Sequence, residues 1–307
     1  MNLFLLLGTA GLSHSVFGKR VIPIGTVYDP FVARGLDALN YACYQDARFM
    51  IVGTPSGVTL SYEGGAHQSI GSPLIGMSQD GLASFEPAFA DELAVIMQWA
   101  FEYLQKDGEG DPDERTWLRD ETGGSVYLRL TTNPIEQPGK RVDEDFRQGA
   151  IDGAYWLRKP GPNCEVVIAY QGAIAPEAIN AAGIIAQGRR DVGVLAVTSA
   201  DRLNAGWTAA QRARARGNAM AESHIETMLG QLPRDCKLVT VIDGHPATLS
   251  WLGSVVGHQT VPLGVEHFGQ TGTIADLYSH FGIDTKSIVE KVQGLTHGRQ
   301  VLHRMSG

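Results

Sequence analysis

The sequence predicts an α/β protein made of two open, mostly parallel sheets with helices packed on them. Short apolar runs, such as FMIV at 49–52, are bounded by glycine, proline and polar residues, which is typical of buried parallel strands. These runs alternate with segments that carry apolar residues at helical spacing, as in 88–105. The alternation stops once, in a stretch at 133–144 that contains proline and charged residues. We therefore predict two domains, 1–142 and 143–307.

The first domain is predicted to start with an apolar core helix at 1–15 and a short buried strand at 20–25. Asp29 and Pro30 are a typical helix start, with an acidic cap and a proline in the first turn, and this helix is expected to continue to about residue 47. The remaining elements predicted in this domain are strands at 49–53, 82–85 and 125–130, a helix at 88–105 and a short helix within 67–80.

The second domain restarts the alternation of strands and helices. Its strands are predicted at 154–157, 165–169, 192–198, 238–242 and 260–265, and its helices at 174–187, 222–230, 247–256, 272–281 and 284–292. Because helices separate most of these strands, a mostly parallel sheet is expected here as well.

Composition and charge argue against several classes of protein. The 307 residues include 43% hydrophobic and 19% charged residues, which is ordinary for a globular chain, and the net charge of −8 with dispersed Lys and Arg does not indicate nucleic-acid binding. The apolar N-terminal run is too short to span a bilayer and has no basic residue before it, so neither a membrane segment nor a signal peptide is predicted. Cys43, Cys164 and Cys236 form no CxxC pair, which favours a reducing, cytoplasmic location and no zinc site.

The most informative stretch for function is 53–68, GTPSGVTLSYEGGAHQ, which follows the predicted strand at 49–53. In open α/β sheets ligands bind beyond the carboxyl ends of strands, where this loop would lie. Glu63 and His67 are separated only by small residues, so both side chains could approach a ligand closely. Their spacing would also suit a helical metal site, but Gly64 and Gly65 disfavour a helix. The alternative is a surface loop in which both side chains are incidental.

Common nucleotide-binding and hydrolase motifs are missing. The sequence contains no GxxxxGK[ST], no GxGxxG and no GxSxG. Ser56 lies in GTPSG, one position away from the hydrolase spacing. A hydrolase would need Ser56, His67 and a distant acid to converge, and we regard this as a minor alternative.

Four longer runs carry a family resemblance. They lie at 28–77 (YDPFVARGLDALNYACYQDARFMIVGTPSGVTLSYEGGAHQSIGSPLIGM), 84–104 (SFEPAFADELAVIMQWAFEYL), 123–132 (GGSVYLRLTT) and 267–292 (HFGQTGTIADLYSHFGIDTKSIVEKV). The first three resemble the pyrimidine-binding domain of thiamine-diphosphate enzymes of the transketolase superfamily. More narrowly, they are similar to homodimeric pyruvate dehydrogenase E1 and its single-chain bacterial relatives. Residues from about 150 onward resemble the C-terminal domain of the same family.

The resemblance implies roles for five residues. Phe31 is expected to stack on the aminopyrimidine ring of thiamine diphosphate, with Tyr28 nearby, and such a stack adds an aromatic contact to apolar burial. Leu60 is expected to pack beneath the bent cofactor. His67 would hydrogen-bond the substrate carbonyl oxygen, and Glu63 would line the same cavity.

The departures from the family pattern are equally specific. The family places a catalytic glutamate just before the helix that here starts at Met1, and residues 1–15 contain no Glu or Asp. The GDG…Asn motif that holds magnesium and diphosphate is also absent. We therefore expect the chain to be the back portion of a larger enzyme, with no metal ligands of its own, magnesium held mainly by the missing domain, and no complete activity alone.

The substrate implied by the resemblance is a 2-oxo acid such as pyruvate, decarboxylated and passed to a lipoyl carrier. Transketolases bind sugar phosphate with an arginine and a histidine whose positions here fall near Thr131 and Pro55, and the EGGAH spelling is closer to the dehydrogenase branch. Ketol transfer between sugar phosphates is the alternative, and a non-catalytic dimerisation or assembly module is a third possibility. The expected partners are a second copy or a diphosphate-binding chain, and a lipoyl-bearing E2, with no nucleic acid and no membrane.

Overall fold

The structure, a computed structural model, describes residues 1–108, 118–139, 142–188 and 190–305, with side chains as far as 296. In the first half the helices are α1 (Asn2–Gly11), α2 (Ser13–Phe17), a 3₁₀ helix (Asp29–Gly35), α3 (Leu36–Tyr44), α4 (Ser72–Ser78) and α5 (Ala90–Tyr103). The strands are β1 (Ile24–Val27), β2 (Met50–Gly53), β3 (Leu82–Phe85) and β4 (Ser125–Arg129). They form a parallel sheet of order β1-β2-β4-β3.

The second half forms a five-stranded sheet of order β5-β7-β6-β8-β9. Its strands are β5 (Ala154–Arg158), β6 (Val166–Gln171), β7 (Val192–Val197), β8 (Lys237–Ile242) and β9 (Thr260–Leu263); only β5 is antiparallel to its neighbour. The helices are α6 (Glu144–Asp152), a short 3₁₀ turn (Gly172–Ile174), α7 (Ala175–Gln187), α8 (Ala200–Ala215), α9 (His224–Gly230), α10 (Ala247–Ser250), α11 (Gly253–Val256), α12 (Ile274–His280) and α13 (Thr285–Met305).

The predicted fold class is confirmed, since both sheets are mostly parallel and carry helices. The two halves also share one apolar core, in which Val58 and Phe89 of the first half pack with Tyr170 and Val239 of the second. The predicted boundary at 142/143 lies between the two sheets. Whether the halves are separate domains stays a prediction.

Four details of the predicted elements are wrong. The N-terminal segment is not one buried helix: it breaks at Leu12 and buries one face, leaving Leu5 and Leu6 53% and 69% exposed. The strand predicted at 20–25 pairs only from Ile24 onward, because Pro23 has no N–H to donate. The helix predicted from residue 29 begins as a 3₁₀ helix, and the one predicted at 247–256 is two short helices.

Candidate functional site

The carboxyl ends of the two sheets face each other, and charged side chains fill the space between them. In the first half Asp29 follows β1, Glu86 follows β3, and Arg129 ends β4. In the second half Gln171 ends β6 and Asp243 follows β8. All five side chains are buried. We refer to these residues as the interface network.

Arg129 is the centre of this network. Its guanidinium donates from Nε to Asp29 Oδ2 at 3.2 Å and also forms an ion pair with Glu86. Gln171 Nε2 donates to Glu86 Oε2 at 2.9 Å, which ties the second sheet to the first. Burial lowers the pKa of Arg129, but the surrounding acidic groups, chiefly Glu86 and Asp29, together raise it above its usual value. The guanidinium therefore stays charged and compensates buried carboxylates from two strands.

Asp243 is the member of the network with the weakest hydrogen bonds. It is fully buried, and neither carboxylate oxygen accepts a hydrogen bond that meets normal geometry from the described residues. Burial and the charge of Glu86 raise its pKa from 3.8 to about 7, although Arg129 and the nearby backbone of Val58 act in the opposite direction. Gly57, at φ +61°, lies against this carboxyl, and a Cβ there would collide with it. Asp243 thus supports the start of the loop that follows β2.

The surface part of the loop carries the residues proposed from the sequence. His67 Nδ1 lies 3.4 Å from Glu63 Oε2, with both side chains more than half exposed. Tyr28 donates its hydroxyl hydrogen to the His67 carbonyl at 2.9 Å and meets Phe31 edge-on at 5.1 Å between ring centroids. Gly64 and Gly65 have positive φ, so the loop turns between Glu63 and His67 instead of forming a helix. The structure therefore brings Tyr28, Phe31, Glu63 and His67 together, and we call them the surface cluster.

A segment of the second half holds the loop in place. Gly65 N–H donates to the Gly269 carbonyl at 2.9 Å, and Gln68 Nε2 donates to the Gln270 carbonyl at 3.1 Å. Gly272 N–H donates back to the Ser61 carbonyl at 3.3 Å. These bonds join 61–68 to 269–272. The position of His67 therefore depends on residues about 200 positions away in the chain.

The comparison with known protein families gives a match in the second half of the chain. Residues 153–284 match the family model described as the transketolase-like TK C-terminal domain. The chain as a whole also resembles longer proteins. It is 28% identical over 301 residues to the pyruvate dehydrogenase E1 component of Mycolicibacterium smegmatis, a match that covers 95% of this chain and 31% of that protein. The chain thus spans about a third of the length of the curated relatives it matches.

Solved structures agree on the fold. Transketolase from Leishmania mexicana superposes with a TM-score of 0.69 at 18% identity, covering 90% of this chain and 34% of that one. A structure titled split gene transketolase, inactive beta4 tetramer, superposes with a TM-score of 0.61 at 18% identity, covering 95% of this chain and 80% of that one. At these identities the likeness shows a common fold.

The surface cluster leaves part of an aromatic ring exposed. Phe31 is 37% exposed, and the Arg34 guanidinium lies 4.2 Å from its ring centroid. Leu60 lies half-buried earlier in the same loop. Within the described ranges no three His, Cys, Asp or Glu side chains are arranged to hold a metal ion. The same part of the chain contains no helix with the length and apolar character needed to cross a membrane.

The sequence analysis missed the interface network. It did not propose four of the network residues as site residues: Arg129, Asp29, Glu86 and Asp243. Each of them lies at the carboxyl end of a strand or shortly after it. That position was the available signal, because ionisable residues next to buried strand ends need partners. What the sequence did not contain was the identity of the partners, which come from different strands and, for Gln171 and Asp243, from the second sheet.

Proposed function

We propose that this chain supplies the pyrimidine side of a thiamine-diphosphate site in a 2-oxo-acid dehydrogenase E1. The observation that carries the proposal is the surface cluster at the carboxyl edge of the first sheet, with two aromatic rings beside an imidazole and a carboxylate. This is the edge at which parallel α/β sheets bind ligands. The similarity to pyruvate dehydrogenase E1 components supports this branch of the family.

Phe31 is the residue we assign to the aminopyrimidine ring. Tyr28 packs against Phe31 in a T-shaped arrangement, and Arg34 lies over the Phe31 ring. The orientation of Phe31 is therefore restrained before a ligand binds. An aromatic contact of this kind contributes about 0.5–1.5 kcal/mol beyond area burial. Leu60 would support the cofactor from the same loop. When bound, thiamine diphosphate supplies the electron sink for decarboxylation of a 2-oxo acid.

His67 is the residue we assign to the substrate. Its side chain is 52% exposed, and Glu63 Oε2 at 3.4 Å from Nδ1 leaves Nε2 available for the carbonyl oxygen of a 2-oxo acid. Tyr28 fixes the backbone of His67 through its hydroxyl. Because the Glu63–His67 pair is exposed, its contribution to stability is small, about 0–1 kcal/mol. Its value would lie in orienting the ring.

A second chain or segment is part of the proposal. Because no three His, Cys, Asp or Glu side chains of the described residues are arranged to hold a metal ion, we assign magnesium to that second chain or segment. The solved structure of similar length is described as a split gene transketolase in an inactive tetramer. This description favours the hypothesis that the present chain also works together with another chain. The exposed Leu5 and Leu6 face of α1 and the neighbouring α3 are the surfaces we assign to a partner or a second copy.

The test is calorimetric titration with thiamine diphosphate and Mg²⁺. We expect no saturable binding to the chain alone and saturable binding once a chain carrying the diphosphate-binding domain of a related E1 is added. Phe31→Ala should weaken that binding roughly tenfold, in line with an aromatic contact of about 1.4 kcal/mol. Tyr62→Ala is the matched control, because Tyr62 is a highly exposed aromatic residue in the nearby loop that carries Glu63 and His67.

Turnover by the complemented mixture separates the alternatives. We expect decarboxylation of pyruvate, lowered by His67→Ala with little change in cofactor binding. Ketol transfer from xylulose 5-phosphate without pyruvate turnover would replace the proposal by a transketolase, the activity named for the solved structures of the same fold. Saturating complementation with no cofactor binding would instead support a non-catalytic assembly module.

A further inference from the structure

Two of the three cysteines, which are distant in the sequence, are neighbours in the fold. Cys164 lies two residues before β6, and Cys236 directly precedes β8, the parallel strand next to β6. The backbone hydrogen bond from Lys237 N–H to the Glu165 carbonyl, at 3.0 Å, joins the residues that follow each cysteine. As a result the two sulfur atoms are 3.9 Å apart. Adjacent strands lie about 4.8 Å apart, a spacing compatible with a disulfide between neighbouring segments.

The local chemistry makes the two thiols unequal. Cys236 donates its S–H towards the Cys164 sulfur, and this contact lowers the pKa of Cys164 against the opposing effect of burial. The same contact, together with burial, raises the pKa of Cys236. Cys164 is therefore the better nucleophile and Cys236 the neighbouring thiol that stays protonated until it is needed.

Both thiols are buried but lie just behind exposed turns. Pro162 and Asn163 precede Cys164 and are exposed, and Arg234 and Asp235 precede Cys236 and are exposed. Opening either turn by a local fluctuation brings a sulfur to solvent without unfolding the sheet. The third cysteine, Cys43, is a buried residue of α3 in the first half, and burial raises its pKa to about 12.

We propose that Cys164 and Cys236 form a dithiol–disulfide site that reacts with low-molecular-weight disulfides. The Cys164 thiolate attacks one sulfur of the small disulfide, forms a mixed disulfide and releases one thiolate. Cys236 loses its proton and attacks the Cys164 sulfur, which forms the Cys164–Cys236 bond and releases the second thiolate. Two protein thiols are oxidised and one small disulfide is reduced to two thiols, so atoms and electrons balance.

This site is separate from the candidate functional site. The cysteines lie at the amino ends of β6 and β8, whereas Gln171 and Asp243 lie at the carboxyl ends of the same strands. Six residues of strand separate the two ends, roughly 20 Å. The oxidation state of the pair can therefore be measured without any cofactor or substrate, and independently of the proposed function.

The test is thiol counting and peptide mapping on the folded chain. The protein is incubated with oxidised glutathione at pH 8, quenched with an alkylating agent, and digested without reduction. We expect two of the three thiols to be lost, a linked peptide pair containing Cys164 and Cys236, and an alkylated Cys43. Circular dichroism before the quench establishes that the reaction occurs in the folded state.

Two variants decide the mechanism. Cys236→Ser should stop at a mixed disulfide between glutathione and Cys164, while Cys43→Ser should give the same linked pair as the original chain. The proposal is overturned if all three thiols survive in the folded protein, if Cys43 reacts as readily as Cys164, or if the linked pair appears only in denaturant.

Discussion

Asp243 provides the sharpest quantitative prediction, because a fully buried carboxyl without a normal hydrogen bond must respond to pH. Its pKa rises from 3.8 to about 7 on folding, chiefly because of burial and secondly because of Glu86. A folded-state pKa above the unfolded value means that the native protein binds the proton more tightly. This contribution to stability is fully present below the unfolded pKa and is lost as the pH rises through the folded one.

The magnitude follows from the two pKa values. Holding Asp243 ionised in the fold costs about 4 kcal/mol relative to the unfolded chain. Between pH 5.5 and 8.5 the fraction of protonated Asp243 changes enough to lower the free energy of unfolding by about 2 kcal/mol. Asp243→Asn has no proton to lose in this range. We therefore expect the original chain to lose about 2 kcal/mol more than this variant over the same interval.

The assay is urea unfolding followed by tryptophan fluorescence at pH 5.5, 7 and 8.5. The difference in slope between the two proteins isolates Asp243, because all other ionisable residues are the same in both. Asp145→Asn removes an exposed carboxylate on α6 and should keep the slope of the original chain. Equal slopes for the original chain and Asp243→Asn would refute the reasoning. If Asp243→Asn does not fold, Glu86→Gln is the second variant to measure. Because this variant removes the charge next to Asp243, its pH-dependent loss of stability should occur at lower pH than in the original chain.

The remaining predictions concern the other contacts of the site. Arg129→Met should lower the free energy of unfolding by about 3–5 kcal/mol in urea titrations, because it leaves buried carboxylates uncompensated, and Arg129→Lys should recover part of the loss. Gly65→Ala should cost about 1–2 kcal/mol for its left-handed backbone alone, and Gly64→Ala, at nearly the same φ, should cost more because its Cβ would lie 2.6 Å from the Thr271 hydroxyl oxygen. Equal losses for the two glycine variants would show that packing against the second half does not hold the loop. Tyr28→Phe removes the hydroxyl that donates to the His67 carbonyl, and it should lower the free energy of unfolding by about 0.5–1.5 kcal/mol. It should also reduce the hydrogen-exchange protection of residues 61–68, and unchanged protection would contradict a positioning role for Tyr28.

Local patterns in the sequence were sufficient for most of the architecture. Apolar runs between breakers located the strands to within a few residues, and their alternation with helices predicted parallel sheets. The surface cluster was also predictable in outline, since Tyr28 follows one strand and the loop of Glu63 and His67 follows the next. Parallel neighbouring strands place their carboxyl ends together, so residues that follow them meet.

The sequence predicted the structure less well in two segments whose composition was compatible with more than one arrangement. The N-terminal run was apolar enough for a buried helix, but a helix covered on one side buries only one stripe, and Leu5 and Leu6 lie on the other side. The segment at 247–256 had helical composition throughout and still forms two short helices. In both places packing against the rest of the molecule decided the outcome.

The tertiary structure alone decided which distant residues became partners. Arg129 meets Asp29 and Glu86 from other strands, Gln68 is bonded to residue 270, and Cys164 lies beside Cys236. Turn and helix preferences act over a few residues and contain no information about contacts between residues that are about 40 to 200 positions apart. The sequence by itself therefore determined the elements and the edge where a ligand would bind. The association of the two sheets determined the charges around that edge and the support of its loop, and the pairing of β6 with β8 brought the two cysteines together. Burial creates these properties only when the partners have come together.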